Sequence, residues 1–159
     1  MSVHEVASAG TSIWLDDLSR AKITGTDAHS LPSRIANSGV VGVTTNPSIF
    51  SGAISGAAEY SADIAAMKGA TVDDVVKKLT TDDVRQACDL FAPIYSGSKG
   101  FDGRVSIEVD PRLARDTEGT IAAGKELWSI IDRPNVMIKV PATIEGLPAI
   151  AALIAAGIS

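Results

Sequence analysis

The sequence predicts an α/β fold whose parallel strands and helical crossovers build a (β/α) barrel. Three observations predict it. Short strand-like runs alternate with helical patterns, alternate residues of each run divide into an aliphatic and a polar face, and the polar face of every run ends in a charged or amide side chain. A doubly wound open sheet would be covered by helices on both faces and so be apolar on both.

The strand-like runs are SIWLD (12–16), VVGVTTN (40–46), VSIEV (105–109) and VMIKV (136–140), each bounded by turn-forming residues. Between the first two, SLPSRIANSG predicts a short helix stopped by Gly39. The stretch from Asn46 to Lys68 predicts a second helix opened by Pro47, a residue favoured in a first helical turn. Within 80–98, Val84, Ala87, Cys88 and Phe91 recur at helical spacing, with Asp82 and Asp83 expected near the start of that helix. Two more helical patterns occupy 116–132 and 143–157, the last with Thr143 as a possible cap for a start near Ile144. The Gly/Ser-rich piece at 95–103 reads as a loop, and no internal domain boundary is expected.

Side chains alternate across a strand. One face carries Ile13 and Leu15; Val41 and Val43; Val105, Ile107 and Val109; Val136, Ile138 and Val140. The other carries Ser12, Trp14 and Asp16; Gly42, Thr44 and Asn46; Ser106 and Glu108; Met137 and Lys139. Asp16 and Asn46 lie 30 residues apart, Glu108 and Lys139 lie 31 apart, and the 62 between Asn46 and Glu108 leave room for an extra helix. Polar residues at the C-terminal ends of successive parallel strands are where (β/α) barrels place their chemistry.

Each candidate has a plainer reading. Lys139 is either a strand-end lysine whose stem lies on apolar surface, or an amine nucleophile that forms a Schiff base with a carbonyl. Glu108 is either a surface partner of Arg104 or Arg112, or a proton carrier for imine formation. One of Asp16 and Asp17 can simply start the next turn or cap a helix, while parity points Asp16 inward and Asp17 outward. Asn46 precedes Pro47 and can cap a helix, or its amide can bind substrate hydroxyls. Thr44, two residues earlier on the same face, is the second candidate for substrate binding, although threonine is ordinary in strands. Cys88 reads as a packed core thiol, and Trp14 and Trp128 as packing residues.

The totals exclude several classes. The chain has 159 residues, 45% apolar and 4% aromatic, with a formal charge of −5. That is one globular unit packed with aliphatic side chains, without the basic surface that general nucleic-acid binding needs. One cysteine forms no disulfide within the chain, and a reducing compartment is the simple expectation. No signal-peptide pattern and no apolar run of membrane-spanning length occurs, so a cytoplasmic location is expected. His4 and His29 are far apart, and no metal-ligand spacing, dinucleotide fingerprint or P-loop is found, so no metal or cofactor is expected.

The motifs TSIWLDDLSR, GVTTNPSIF, VSIEVDPRL and MIKVPATIEG together resemble the transaldolase family, of the longer bacterial type, in its order and spacing from about residue 11 to the last. The resemblance implies a (β/α)8 TIM barrel of the class I aldolase type. It implies transfer of a dihydroxyacetone unit between sugar phosphates through a lysine Schiff base. Lys139 would be the Schiff-base lysine and Glu108 the acid/base acting through a water. Asp16 would handle the hydroxyl proton during carbon–carbon cleavage, and Asn46 would bind the three-carbon unit. A full barrel of this kind takes about 250 residues. The family's later threonine and serine positions and its phosphate-binding arginine have no counterparts here. The expectation is an N-terminal extension over 1–10, then only about the first half of a barrel over 11–159, ending as the fifth strand opens at Ile158 and Ser159. Other readings are a different Schiff-base aldolase, or an inactive half-barrel that associates with itself or a complementary chain.

Overall fold

The structure is a computed structural model that describes residues 2–159. Strands β1 (Ile13–Asp16), β2 (Val40–Thr44), β3 (Arg104–Glu108) and β4 (Val136–Lys139) form one sheet, ordered β1-β2-β3-β4 and parallel throughout. Helix α1 (Val3–Ser8) precedes the sheet, and α2 (Arg20–Thr24) and α3 (Leu31–Ser38) link β1 to β2. Helices α4 (Pro47–Ile54), α5 (Ser61–Ala66) and α6 (Val72–Gly97) link β2 to β3, α7 (Thr117–Ile131) links β3 to β4, and α8 (Gly146–Ala155) follows. Strands added in chain order, each after a helical crossover, are the topology of a partial TIM barrel. A doubly wound sheet reverses its strand order.

The register fixes the two faces. Leu15 pairs with Val43, Val43 with Val105, and Val105 with Val136, an aliphatic row running across all four strands. Val43, Val105 and Val136 are fully buried there against Val84, Cys88 and Phe91 of α6. Cys88 is thus a core residue, as its position on the apolar stripe predicts, and burial pushes its thiol up to about 12. A thiol reagent at neutral pH is therefore expected to label Cys88 no faster than the chain unfolds, as a denaturant series of labelling rates would show.

On the opposite face the indole of Trp14 lies over Gly42. A Cβ added at Gly42 would sit 2.5 Å from Trp14 Cε2. Gly42→Ala should therefore push the indole out of place and cost about 1–3 kcal/mol. Urea unfolding followed by tryptophan fluorescence would report both changes.

The elements depart from the sequence reading in three places. Residues 46–68 do not form one helix. The chain leaves α4 after Ile54, Gly56 takes φ +73°, and a 3₁₀ turn at Ala58–Tyr60 leads into α5. Between β1 and α3 the short helix α2, capped by Ser19, has no counterpart in the sequence reading. The third departure concerns α6, which begins at Val72, capped by Thr71 with Asp73 and Asp74 in its first turn. Asp82 and Asp83 lie inside the helix rather than near its start. Asp83 is completely buried, and its carboxylate accepts from Tyr60 Oη at 2.6 Å and from Arg20 Nε at 3.0 Å. Arg20 also pairs with Asp63, its backbone N–H donates to Tyr60 Oη at 2.9 Å, and its guanidinium lies 4.6 Å from the Tyr60 ring centre. This cluster ties the turn after β1 to the 3₁₀ turn after α4 and to the middle of α6.

At the far edge of the sheet, Ile138 N–H donates to Ser159 O at 2.8 Å. That bond places the last residue beside β4.

Candidate active site

Parallel register brings the ends of neighbouring strands level, and this assembles the rim. Asp16 is the register partner of Thr44, and Glu108 of Lys139. Thr44 Oγ1 donates to Asp16 Oδ1 at 2.6 Å. Lys139 Nζ lies 3.2 Å from Glu108 Oε2 and donates to the Thr45 carbonyl at 3.1 Å. Thr45 is fully buried. Its hydroxyl donates to Ser106 O at 2.6 Å, and its N–H donates to Ser106 Oγ at 3.4 Å. Hydrogen bonds thus run from β1 to β2 through Asp16 and Thr44 and from β2 to β3 through Thr45 and Ser106, and an ion pair joins β3 to β4 through Glu108 and Lys139. Neighbouring strands are about 4.8 Å apart, so the backbones at Asp16 and Lys139 lie at most roughly 14 Å apart, a gap narrowed by Lys139 Nζ reaching back to Thr45 O past the end of β2.

Lys139 has the part-exposed side chain of a strand-end lysine. Its stem follows the strand and its side chain is 42% exposed, while its amine is held by a carboxylate and a backbone carbonyl. Glu108 does not pair with Arg104 or Arg112. Arg104 Nε donates to Gly100 O at 2.8 Å, and Arg112 pairs with Asp110 and Asp73. Asn46 sits at the end of this segment with its Oδ1 accepting from Ile49 N–H at 3.0 Å, the capping bond that starts α4. Its Nδ2 takes no part in that cap. Asp17 stands off the rim, paired with Lys22. Thr143 Oγ1 accepts from Gly146 N–H at 3.0 Å, one turn ahead of α8.

Two clefts border this face. The larger, about 470 Å³, runs between Asp17, Lys22, Gly52 and Tyr60 and contains none of the five predicted site residues. The smaller, about 330 Å³, follows the outer edge of β4 and has Glu108 and Lys139 on its margin, with Val140, Leu153 and Ile158 below them. Glu108 and Lys139 of the rim thus border the smaller cleft and not the larger one.

Sequence reasoning missed the part played by Thr45 and Ser106. A threonine at this position is inconspicuous, since threonine is common in strands. The available signal was position: it is the first residue past β2, where its carbonyl has left the ladder. Among the described residues, no helix is long and apolar enough to cross a membrane.

Comparison with known proteins agrees with the geometry. The model of the transaldolase/fructose-6-phosphate aldolase family matches residues 13–159, from the first residue of β1 through the whole rim. The chain is 57% identical over 156 residues to a transaldolase of Mycolicibacterium smegmatis, covering 97% of this chain and 41% of that relative. It is 52% identical over 160 residues to a transaldolase of Saccharopolyspora erythraea, covering 99% and 42%. A transaldolase of Arthrobacter sp. strain FB24 is 56% identical over 159 residues, covering 98% and 42%. The chain spans about two fifths of the length of the curated relatives it matches. On the family match and these identities, the chain belongs to the transaldolase/fructose-6-phosphate aldolase family.

Proposed function

We infer that this chain carries the lysine, the two carboxylates and the amide of a transaldolase site. In the reaction a dihydroxyacetone unit passes between a ketose phosphate and an aldose phosphate. Sedoheptulose 7-phosphate and glyceraldehyde 3-phosphate are interconverted with erythrose 4-phosphate and fructose 6-phosphate. The observation that carries the reading is the 3.2 Å pairing of Lys139 Nζ with Glu108 Oε2 on the rim that also holds Asp16.

The chemistry follows from those groups. Neutral Lys139 Nζ attacks the ketose carbonyl, and the carbinolamine loses water when Glu108, through a bound water, delivers a proton to the departing hydroxyl. The protonated imine draws in the electron pair of the carbon–carbon bond next to the adjacent carbon. That bond breaks, Asp16 takes the proton of the neighbouring hydroxyl, and an aldehyde leaves an enamine on Lys139. The enamine adds to the acceptor aldehyde with the proton returned from Asp16, and water releases the new ketose. Asn46 Nδ2 binds a hydroxyl of the three-carbon unit, with Thr44 holding Asp16 in place. The substrates are soluble sugar phosphates and the location is cytoplasmic.

Incubation with fructose 6-phosphate and erythrose 4-phosphate tests the reading. Formation of sedoheptulose 7-phosphate supports transfer. Release of free dihydroxyacetone with no heptulose would make the chain a cleaving aldolase instead.

A second reading has its own observation. Ile144, Leu147 and Ile154, in and before α8, are large exposed apolar residues near the outer edge of β4. Such a surface beside a sheet edge favours association, and a half-barrel that needs a second copy or a complementary chain would be inactive alone. Light scattering across a concentration series should then show a mass above 16.4 kDa.

A further inference from the structure

We propose that the Thr45 main-chain carbonyl, aimed by the reciprocal bonds between Thr45 and Ser106, is the fixed acceptor for the Lys139 nitrogen and leaves Glu108 free to move protons. The inference rests on Lys139 being the Schiff-base lysine.

The argument is a count of donors. An ammonium has three N–H groups and can serve two partners together: Lys139 donates to Thr45 O at 3.1 Å and forms an ion pair with Glu108 at 3.2 Å. A protonated imine has one. If that single N–H goes to Glu108, the carboxylate is occupied when it is needed for dehydration and later hydrolysis. If it goes to a backbone carbonyl, which carries no exchangeable proton, the imine is oriented and Glu108 is released.

Thr45 is built for the second arrangement. β2 ends at Thr44, so the Thr45 carbonyl lies past the strand. Its residue is locked on both sides: hydroxyl to Ser106 O at 2.6 Å and N–H to Ser106 Oγ at 3.4 Å, with Thr45 fully buried and Ser106 4% exposed. The next residue caps α4 through Asn46 Oδ1. The peptide between Thr45 and Asn46 is therefore held from both ends. Thr45 and Ser106 are positioning residues, since neither side chain reaches the Lys139 nitrogen.

Thr45→Val keeps the shape and removes the hydroxyl, and Thr45→Ser restores it. Each chain is incubated with dihydroxyacetone and cyanoborohydride, and the reduced adduct on Lys139 is followed by peptide mass spectrometry, with formaldehyde as a non-selective carbonyl in parallel. The maximal adduct rate should fall about tenfold in Thr45→Val, the scale of a lost charge-assisted hydrogen bond. The half-saturating concentration should stay unchanged, and Thr45→Ser should remain within about twofold of the parent chain. Equal thermal midpoints for the Val and Ser variants separate this effect from loss of fold. Equal rates in the parent chain and Thr45→Val with both carbonyls would overturn the inference. If dihydroxyacetone gives no selective adduct on Lys139 even in the parent chain, the Schiff-base function fails. The formaldehyde arm then decides the positioning role alone: slower methylation of Lys139 in Val than in Ser supports it, and equal rates overturn it.

Discussion

Lys139→Met is expected to abolish the adduct that borohydride fixes in the presence of fructose 6-phosphate, and to lower turnover on the order of 10⁴-fold or more. Methionine preserves the unbranched stem that lies along β4 and removes only the nitrogen, so the fold should survive. Glu108→Gln is the graded comparison. It keeps an oxygen near the amine but cannot carry a proton, and loss of a general acid/base typically costs about 10²–10⁴-fold. The ordering separates the two roles: no adduct without Lys139, and a slowly formed adduct without the Glu108 carboxylate. Intact-mass spectrometry after reduction measures both.

Asp83→Ala is expected to carry the largest cost in stability. It leaves the Tyr60 hydroxyl and the Arg20 guanidinium without the carboxylate they share, and Arg20 is itself only 14% exposed. Removing one member of a buried pair costs about 3–5 kcal/mol, a fall in melting temperature of roughly 10 °C for a chain of this size. Asp83→Asn keeps an acceptor for Tyr60 and should cost less. The pH dependence has a definite sign. Burial pushes the Asp83 carboxyl above its ordinary value of 3.8, against the opposing pull of the Tyr60 hydroxyl and Arg20. The folded chain therefore holds that proton to higher pH than the unfolded chain does. The stabilisation from this protonation is full below 3.8 and is lost as pH rises through the folded value. The stability difference between the parent chain and Asp83→Asn should shrink over that rise, as urea melts at successive pH values would show.

These two sites differ in how plainly the sequence announces them. The rim was legible because strand parity is local and of period two. Once Glu108 and Lys139 were set on the same face of successive parallel strands, register alone brought them level, as the Glu108–Lys139 pairing shows. The family motifs lie on the same four strand ends. The Thr45 carbonyl was not legible, since a backbone acceptor leaves no mark in residue type. Asp83 was misread for a different reason. Thr80, Thr81, Asp82 and Asp83 together imitate a helix start, whereas the working cap is Thr71, nine residues before Thr80. The contrary signal was there: Asp83 falls four residues after Leu79 and four before Ala87, in the middle of a buried stripe, where an acid needs partners. Those partners, Arg20 and Tyr60, come from distant parts of the chain, and no local pattern joins them. The break after Ile54 was likewise hidden, because 46–68 is rich in alanine and only Gly56 gives the turn away.

The central claim is that the strand ends converge on one small carbonyl substrate. The most direct measurement is a crystal structure of the chain after borohydride reduction with dihydroxyacetone. The expected result is a three-carbon group bonded to Lys139 Nζ, its nitrogen beside Thr45 O and its hydroxyls within hydrogen-bond reach of Asp16 and Asn46. An adduct on another lysine, or one on Lys139 turned away from Asp16 and Glu108, would contradict it.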